Sequence, residues 1–341
     1  MRFYNVGDLR FNIPSRIFRG EPYLGYLLNG SLMIDGRMGP PAGSSVASSA
    51  THAMRKAISE MADRRALMRG GVDGGGRVHT WDLVQDHEDS LPVSFSSYRV
   101  DGGYPIDTTG TAGHPDSREA ALRAVLELLE KNAMYLFWYG KWGERLDASA
   151  YERNAFAQLF TDSTLTLNVY INRSFAPVTA AFAIAHSDSG TVFMGSGADL
   201  SAREAIDHAL QETFLLAWCR VINFGIPVSH CDFGRADDAT LHYIRALAAI
   251  KPAASLDEVH ARLHSPLHTV REALPSWVKS LHLVYLPQLA VPTVRCVKAF
   301  SYELYSHVLN PGIIDARRRI NLETIRLTSR AIKAIPRCPM S

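Results

Sequence analysis

From Val125 to Trp138 the chain reads as a helix that is apolar on nearly every side: Val125, Leu126, Leu128, Leu129, Ala133, Met134, Leu136, Phe137 and Trp138. Yet it also carries Glu127, Glu130 and Lys131. A helix that is hydrophobic all round is a buried helix. Acids three apart project from one face of it. A buried carboxylate pair costs several kcal/mol unless a cation or hydrogen-bond donors satisfy it. The bland alternative, a solvated i,i+4 pair of Glu127 with Lys131, stabilises a helix by only a few tenths of a kcal/mol and leaves the apolar neighbours unexplained. The chain therefore needs a central helix and something opposite its acids.

Two other segments repeat the pattern. Glu60-Met-Ala-Asp63-Arg64 matches Glu127-Leu-Leu-Glu130-Lys131, and His208-Ala-Leu-Gln-Glu212 is a softer copy. If the three faces converge they form a cage of hard oxygen ligands, suited to Mg²⁺ and a polyphosphate rather than to zinc or iron. Taken alone, Glu60 and Asp63 pass as surface acids, because Arg55, Lys56, Arg64 and Arg65 surround them. Glu212 lies in an apolar run, between Leu210 and Thr213-Phe-Leu-Leu-Ala-Trp. His208 reads first as a satisfied core histidine, with metal ligand and hydrogen-bond donor as alternatives.

Composition excludes several classes. The chain has 341 residues, 47% of them hydrophobic, and a net charge of +2, so it predicts a globular protein without a broad nucleic-acid footprint. Arg317-Arg318-Arg319 reads as a solvated strip. The four cysteines (Cys219, Cys231, Cys296 and Cys338) form no CxxC pair, which fits a reducing compartment. No apolar stretch reaches membrane length, and the first residues lack a signal-peptide pattern. The expectation is a cytoplasmic protein that binds neither nucleic acid nor membrane.

Along the chain, residues 1–35 read as short strands and turns, and a Gly/Pro-rich loop follows from Gly36 to Ser45. Helices are expected from Ser48 or Ser49 to Arg69, from Ser117 to Tyr139 after an Asp116 or Ser117 cap, and from Ala202 to Ile222. Asp107-Thr-Thr-Gly-Thr-Ala-Gly-His114 reads as a loop opening the second helix. It is either an ordinary turn or a phosphate cradle using Thr108, Thr109 and Thr111. The third helix follows Gly195-Ser-Gly. Strands are expected at Leu91–Tyr98, Thr164–Ile171, Val178–Ala185, Leu281–Leu286 and Val294–Ala299. A helical insert spans about 236–275, with helices near 236–250 and 256–264, and two helices close the chain. Alternating elements predict an α/β or α+β class, and the recurring glycine loop, helix and acidic pair suggests internal duplication. His260, His264 and His268 read as incidental. No nucleophile elbow, zincin helix, Walker ending or dinucleotide fingerprint is present.

The segments Ala42-Gly-Ser-Ser with Ala57-Ile-Ser-Glu60-Met-Ala-Asp63-Arg64, Asp107–His114 with Ala124–Ala133, and Gly195–Ala205 with Ala209-Leu-Gln-Glu212 resemble, in order, the three ATP-site motifs of the YcaO family. The strand Val291–Phe300 sits where that family has a comparable one, so the resemblance covers about 40–310. It implies a single YcaO-like domain over 1–341: N-terminal strands to 35, a core of mixed sheets flanked by helices over 36–310, and a helical tail over 311–341. It also implies a buried acidic Mg-ATP site.

Family members phosphorylate a peptide-backbone amide oxygen after a nucleophile has attacked that carbonyl, and loss of phosphate leaves an azoline, thioamide or amidine. The resemblance thus implies ATP and Mg²⁺ as cofactors, with cyclodehydration of Cys, Ser or Thr in a ribosomally made precursor peptide as the leading reaction. Thioamide or amidine formation is the nearest variant, and a weakened scaffold subunit is the alternative. Glu60, Asp63, Glu127, Glu130 and Glu212 are its metal candidates, with Glu60, Glu127, Glu130 and Glu212 catalytic. Ser44, Ser45, Thr109, Lys131 and His208 are its nucleotide candidates. A homodimer and a separate leader-binding, TfuA-like or ThiF-like partner are expected.

This chain departs from the family at Asp63 (usually Glu), Lys131 (usually Arg), His208 (usually Asn) and Leu215 (usually Gln), and its Pro336-Arg-Cys-Pro339-Met-Ser ending only echoes the proline-alternating tail of azoline-forming members. Leucine neither coordinates metal nor hydrogen-bonds.

Overall fold

A computed structural model describes residues 22–28, 33–34, 37–40, 42–72, 74–98, 105–161, 163–222, 236–253, 256, 265–287 and 291–340. Strands β1 (Tyr23–Leu28), β2 (Met33–Ile34), β3 (Arg37–Met38) and β4 (Ala42–Ala47) precede helix α1 (Ala50–Arg69). Strands β5 (Arg77–Asp82), β6 (His87–Pro92) and β7 (Thr111–His114) precede α2 (Ser117–Gly140). Next come β8 (Glu144–Arg145), α3 (Ala155–Thr161), β9 (Thr166–Phe175), β10 (Val178–His186), β11 (Val192–Asp199) and α4 (Ala202–Ile222). The chain closes with α5 (Asp238–Leu247), α6 (Pro266–Ala273), β12 (His282–Leu286), β13 (Arg295–Phe300), α7 (Arg319–Glu323) and α8 (Ser329–Ala334).

Two larger sheets have the orders β6-β5-β12-β13-β7 and β11-β10-β9-β8, and β1-β4 and β2-β3 are two-stranded. Every pairing between these strands is antiparallel, which puts the fold on the α+β side of the expected class. Helix α2 lies between the large sheets, touching β7 and β13 on one side and β9, β10 and β11 on the other. That placement explains its all-round apolar surface: Val125, Leu128, Tyr135, Phe137 and Trp138 are all inaccessible to solvent.

The helix starts follow local chemistry. Ser49 caps α1, its side chain accepting from the His52 amide, and Asp116 caps α2 by accepting from the amides of Arg118 and Glu119. Three expected glycine loops instead contain strands: 42–47 is β4, 111–114 is β7 and 192–199 is β11. Their glycines allow close packing. A Cβ on Gly43 would collide with the carbonyl oxygen of Ala57, and one on Gly195 with that of Ala209, so each helix lies directly on its own strand. Leu91–Tyr98 is not one strand: β6 ends at Pro92 and 93–96 form a 3₁₀ turn.

Within the expected insert, 257–264 lies outside the described residues, and with it His260 and His264. Residues 1–21, 29–32 and 35–36 lie outside them too. Among the described residues, no helix is long and apolar enough to cross a membrane. In the basic strip, Arg317 pairs with Asp315 and Arg319 with Glu323.

Candidate active site

Three strand–helix units surround one cavity of about 500 Å³. The units are β4–α1, β7–α2 and β11–α4. Each helix packs on its own strand and also touches the strand of the next unit: α1 with β7, α2 with β11 and α4 with β4. The contacts close a ring.

The three units share one register. In each, the serine or threonine of a Gly-Ser or Gly-Thr pair lies on the strand and is followed sixteen residues later by a glutamate: Ser44 to Glu60, Thr111 to Glu127, Ser196 to Glu212. Gly43 and Gly195 abut the carbonyls of Ala57 and Ala209, where a Cβ would collide, whereas Gly110 abuts the Ala299 carbonyl on β13 and stands at ordinary contact distance from that of Ala124. Glu60, Asp63, Glu127, Glu130 and Glu212 all line the cavity, together with Lys56, Arg64, Arg123 and Lys131. Five carboxylates from three distant segments thus meet.

The glutamates differ in what holds them. The Ser44 amide donates to Glu60, and the Ser196 amide donates to Glu212 Oε2 at 2.7 Å. In the middle unit the Thr111 amide donates to the Thr108 carbonyl instead, at 2.9 Å. Among the described residues no hydrogen bond reaches the Glu127 carboxylate, and the buried Thr111 hydroxyl likewise lacks a partner. Burial pushes the Glu127 carboxyl up to about 8; Lys131 opposes that rise and Glu130 adds to it. Burial also raises Glu60, Asp63 and Glu212.

Two cations temper this charge. Arg64 pairs with Glu60 at 2.5 Å. The Lys131 ammonium donates to Glu130 Oε1 at 2.7 Å and to Ser196 Oγ at 3.0 Å, tying the second unit to the third. Burial alone would lower Lys131, but Glu130, Glu212 and Glu127 outweigh it and raise its pKa.

The donor set fits Mg²⁺ and a polyphosphate. It consists of oxygens, it includes a carboxylate that accepts no hydrogen bond among the described residues and an orphaned hydroxyl, and its acids are not collapsed into a protein-only cage. Among the described residues, the one trio of metal-type ligand atoms within 4.8 Å of one another lies elsewhere, at Asp82, Asp89 and His282. Wider spacing suits an ion that keeps its waters and takes other oxygens from phosphate. In that other trio, Asp82 Oδ1 already accepts from the amides of Val84, Gln85 and Leu281, a turn-closing role.

Of the expected nucleotide contacts, Ser44, Ser45, Lys131 and His208 line the cavity. The Ser45 hydroxyl is turned to the Ala53 carbonyl. His208 is half-buried at the cavity wall rather than in the core, and burial followed by Lys56 lowers its pKa. Thr109 is a correction: it is buried away from the cavity, and Thr108 and Thr111 face it instead. The reason is Gly110, whose left-handed φ of 76° reverses the chain between them.

Beneath this turn sits Lys298, fully buried, whose ammonium donates to the carbonyl oxygens of Asp107, at 2.9 Å, and Thr109. Burial lowers Lys298 to about 8. Its signal in the sequence was a lysine inside the apolar strand Arg295-Cys-Val-Lys-Ala-Phe. Ser196, Arg123 and Gln211 are further cavity residues that periodicity alone does not single out. Leu215 also lines the cavity, on the face that carries Asp63 and Glu130 in the other units.

A family model described as YcaO cyclodehydratase, ATP- and Mg²⁺-binding, matches residues 73–265. Among curated proteins no sequence match is found. Of solved structures, YcaO from Methanopyrus kandleri bound with AMPPCP and Mg²⁺ is similar at 13% identity over 86% of either chain, with a TM-score of 0.68. A chain of the E. coli microcin synthetase McbBCD complex is similar at 13% identity over 97% of this chain and 96% of its own, with a TM-score of 0.67. A heterocyclase in complex with substrate and cofactor reaches a TM-score of 0.69 at 13% identity; the match covers 96% of this chain and 53% of that one. At such identities the structural likeness is one of fold.

Proposed function

Because the chain belongs to the YcaO family, we propose that it uses ATP and Mg²⁺ to phosphorylate a backbone amide oxygen of a ribosomally made precursor peptide. Cyclodehydration of Cys, Ser or Thr to thiazoline or oxazoline is the leading reaction. The observation that carries this reading is the Glu127 carboxylate, which accepts no hydrogen bond among the described residues and is set among four other acids in one cavity beside an orphaned hydroxyl, that of Thr111. ATP, when bound with Mg²⁺, supplies the phosphoryl group and the means of neutralising its charge. The protein's share is positioning and electrostatics, so no nucleophilic triad is needed.

In this reading Glu127, with Glu60 and Asp63 beside it, takes the metal. Glu130 fixes the Lys131 ammonium, which faces the phosphates as a point charge. Thr108 and Thr111 offer hydroxyls at the mouth of the turn that Lys298 braces. The precursor peptide arrives on a separate leader-binding, TfuA-like or ThiF-like protein, and the chain works as a homodimer. One observation favours a second reading, a weakened subunit serving a partner: Leu215 is apolar where the first two units carry an acid.

Calorimetric titration of the purified chain with an ATP analogue and Mg²⁺, repeated on Lys131→Ala, tests the proposal. Magnesium-dependent binding, weakened in a variant that melts at the wild-type temperature, supports it. Binding that ignores Mg²⁺, or a Lys131→Ala variant with full ATP turnover, overturns it.

A further inference from the structure

The shared register extends one turn of helix before the acids, to a position where His208 is already a nucleotide candidate and its two counterparts, Lys56 and Arg123, are not. Four residues before each glutamate, one turn of helix earlier, stand Lys56, Arg123 and His208. All three line the same cavity as the acids. Lys56 and Arg123 are exposed and His208 is half-buried, whereas Glu130 and Lys131, farther along α2, are largely enclosed. The cavity therefore has two tiers, basic at the mouth and acidic below. The three side chains also sense one another: Lys56 and Arg123 both lower His208, and Arg123 helps lower Lys56.

Their neighbours do not cancel them. Lys56 Nζ reaches across from α1 to Gln211 Oε1 on α4 at 2.8 Å. The nearby Asp207 carboxylate is already engaged by Asn154 and Gln211. Arg123 meets Glu119 at 3.8 Å, with both side chains about half exposed, a pair that contributes little.

We propose that Lys56, Arg123 and His208 form a phosphate-binding rim, which grips the polyphosphate of the nucleotide on the side of Mg²⁺ that faces away from the carboxylates. The inference rests on the proposed function and adds to it. Carboxylates below attract the metal but repel phosphate, so the phosphate oxygens are driven toward the mouth. There two cations and an imidazole N–H stand at equivalent heights on three helices. Close Gly–Ala contacts seat α1 and α4 on their strands, and each of the three helices touches the strand of the next unit, so the backbones that carry the rim are held in one ring. The grip is charge-assisted and indifferent to the base and ribose.

The test is calorimetry on the full chain with Mg²⁺ and, separately, a non-hydrolysable ATP analogue and inorganic tripolyphosphate. Lys56→Gln and Arg123→Gln are each expected to weaken both probes about tenfold, and Arg123→Lys to restore most of the loss. Both sites are exposed, so the melting temperature should not move. Unchanged affinity for both probes in the glutamine variants, while Glu127→Gln abolishes binding, overturns the rim and leaves the proposed function standing. Weakening of the ATP analogue alone also overturns it, because the contact would then be to base or ribose. Absence of magnesium-dependent binding in the unmodified chain removes the proposed function and the rim together.

Discussion

After Glu60 and Glu127 the helices continue with an acid and a cation, Asp63-Arg64 and Glu130-Lys131; after Glu212 the helix continues with Leu215-Leu216. The strand–helix frame nevertheless recurs in all three units, and in the first and third a glycine lies directly against an alanine carbonyl of its own helix. Frame and chemistry are thus separable. Close packing of helix on strand depends on small residues and tolerates no side chain at Gly43 or Gly195, whereas the cavity-facing positions are constrained only by what they meet. The third unit has lost its own cation, and Lys131 from the second supplies one by bonding Ser196. Its glutamate is held by a backbone amide, while Glu127 in the second unit has no such donor. The second unit is therefore the one most in need of a metal, and the third the one least able to hold it.

Substitution at Glu127 should break this comparison most severely. Glu127→Gln is expected to weaken magnesium-dependent nucleotide binding about 100-fold or more, and retained affinity in calorimetry would mean that the middle unit does not hold the ion. Next in size is Lys298→Met, which leaves the carbonyls of Asp107 and Thr109 without their donor. A loss of about 3 kcal/mol in urea unfolding is expected, and a neutral outcome would show that the middle unit's turn needs no brace.

Leu215→Glu sharpens the contrast from the other side. A sixth acid should cost about 1–3 kcal/mol in EDTA, from desolvation and repulsion, and Mg²⁺ should recover part of it. A loss that Mg²⁺ leaves untouched would mean the third face is not equivalent to the first two. The smallest effect concerns Cys296 and Cys338, buried beside the first and second units, whose thiols burial raises to about 12. Neither should be alkylated in native protein at pH 8, as mass mapping would read. A thiol raised in the fold favours it fully below the unfolded pKa, so this contribution should fade as pH climbs from about 9 toward about 12.

Helix boundaries were legible in the sequence because they obey local rules. Ser49 and Asp116 are cap residues, and the apolar periodicity of α1, α2 and α4 is long enough to place their ends. Glu127, Glu130 and Glu212 stood out for a similar reason, since in an apolar helix a carboxylate needs an explanation that does not depend on knowing its partner, whereas Glu60 and Asp63 were legible only as a repeat of the same pattern. Thr109 shows where such reasoning stops. Which of Thr108, Thr109 and Thr111 faces the cavity depends on a single left-handed glycine and on the pairing of β7 with β13, both properties of the assembled sheet. Lys298 was readable only as an oddity in a strand, since its partners lie about 190 residues away.

The sequence by itself determined the three long helices α1, α2 and α4, narrowed the fold to the α/β or α+β class and identified acids that had to meet something, because capping, periodicity and the cost of burying charge act over a few residues. Only the tertiary structure decided that apparent glycine loops are strands, that three units close into a ring, and that Lys56, Arg123 and His208 stand above their glutamates. Those outcomes depend on backbones approaching to contact distance across long separations, and no local propensity encodes such an approach.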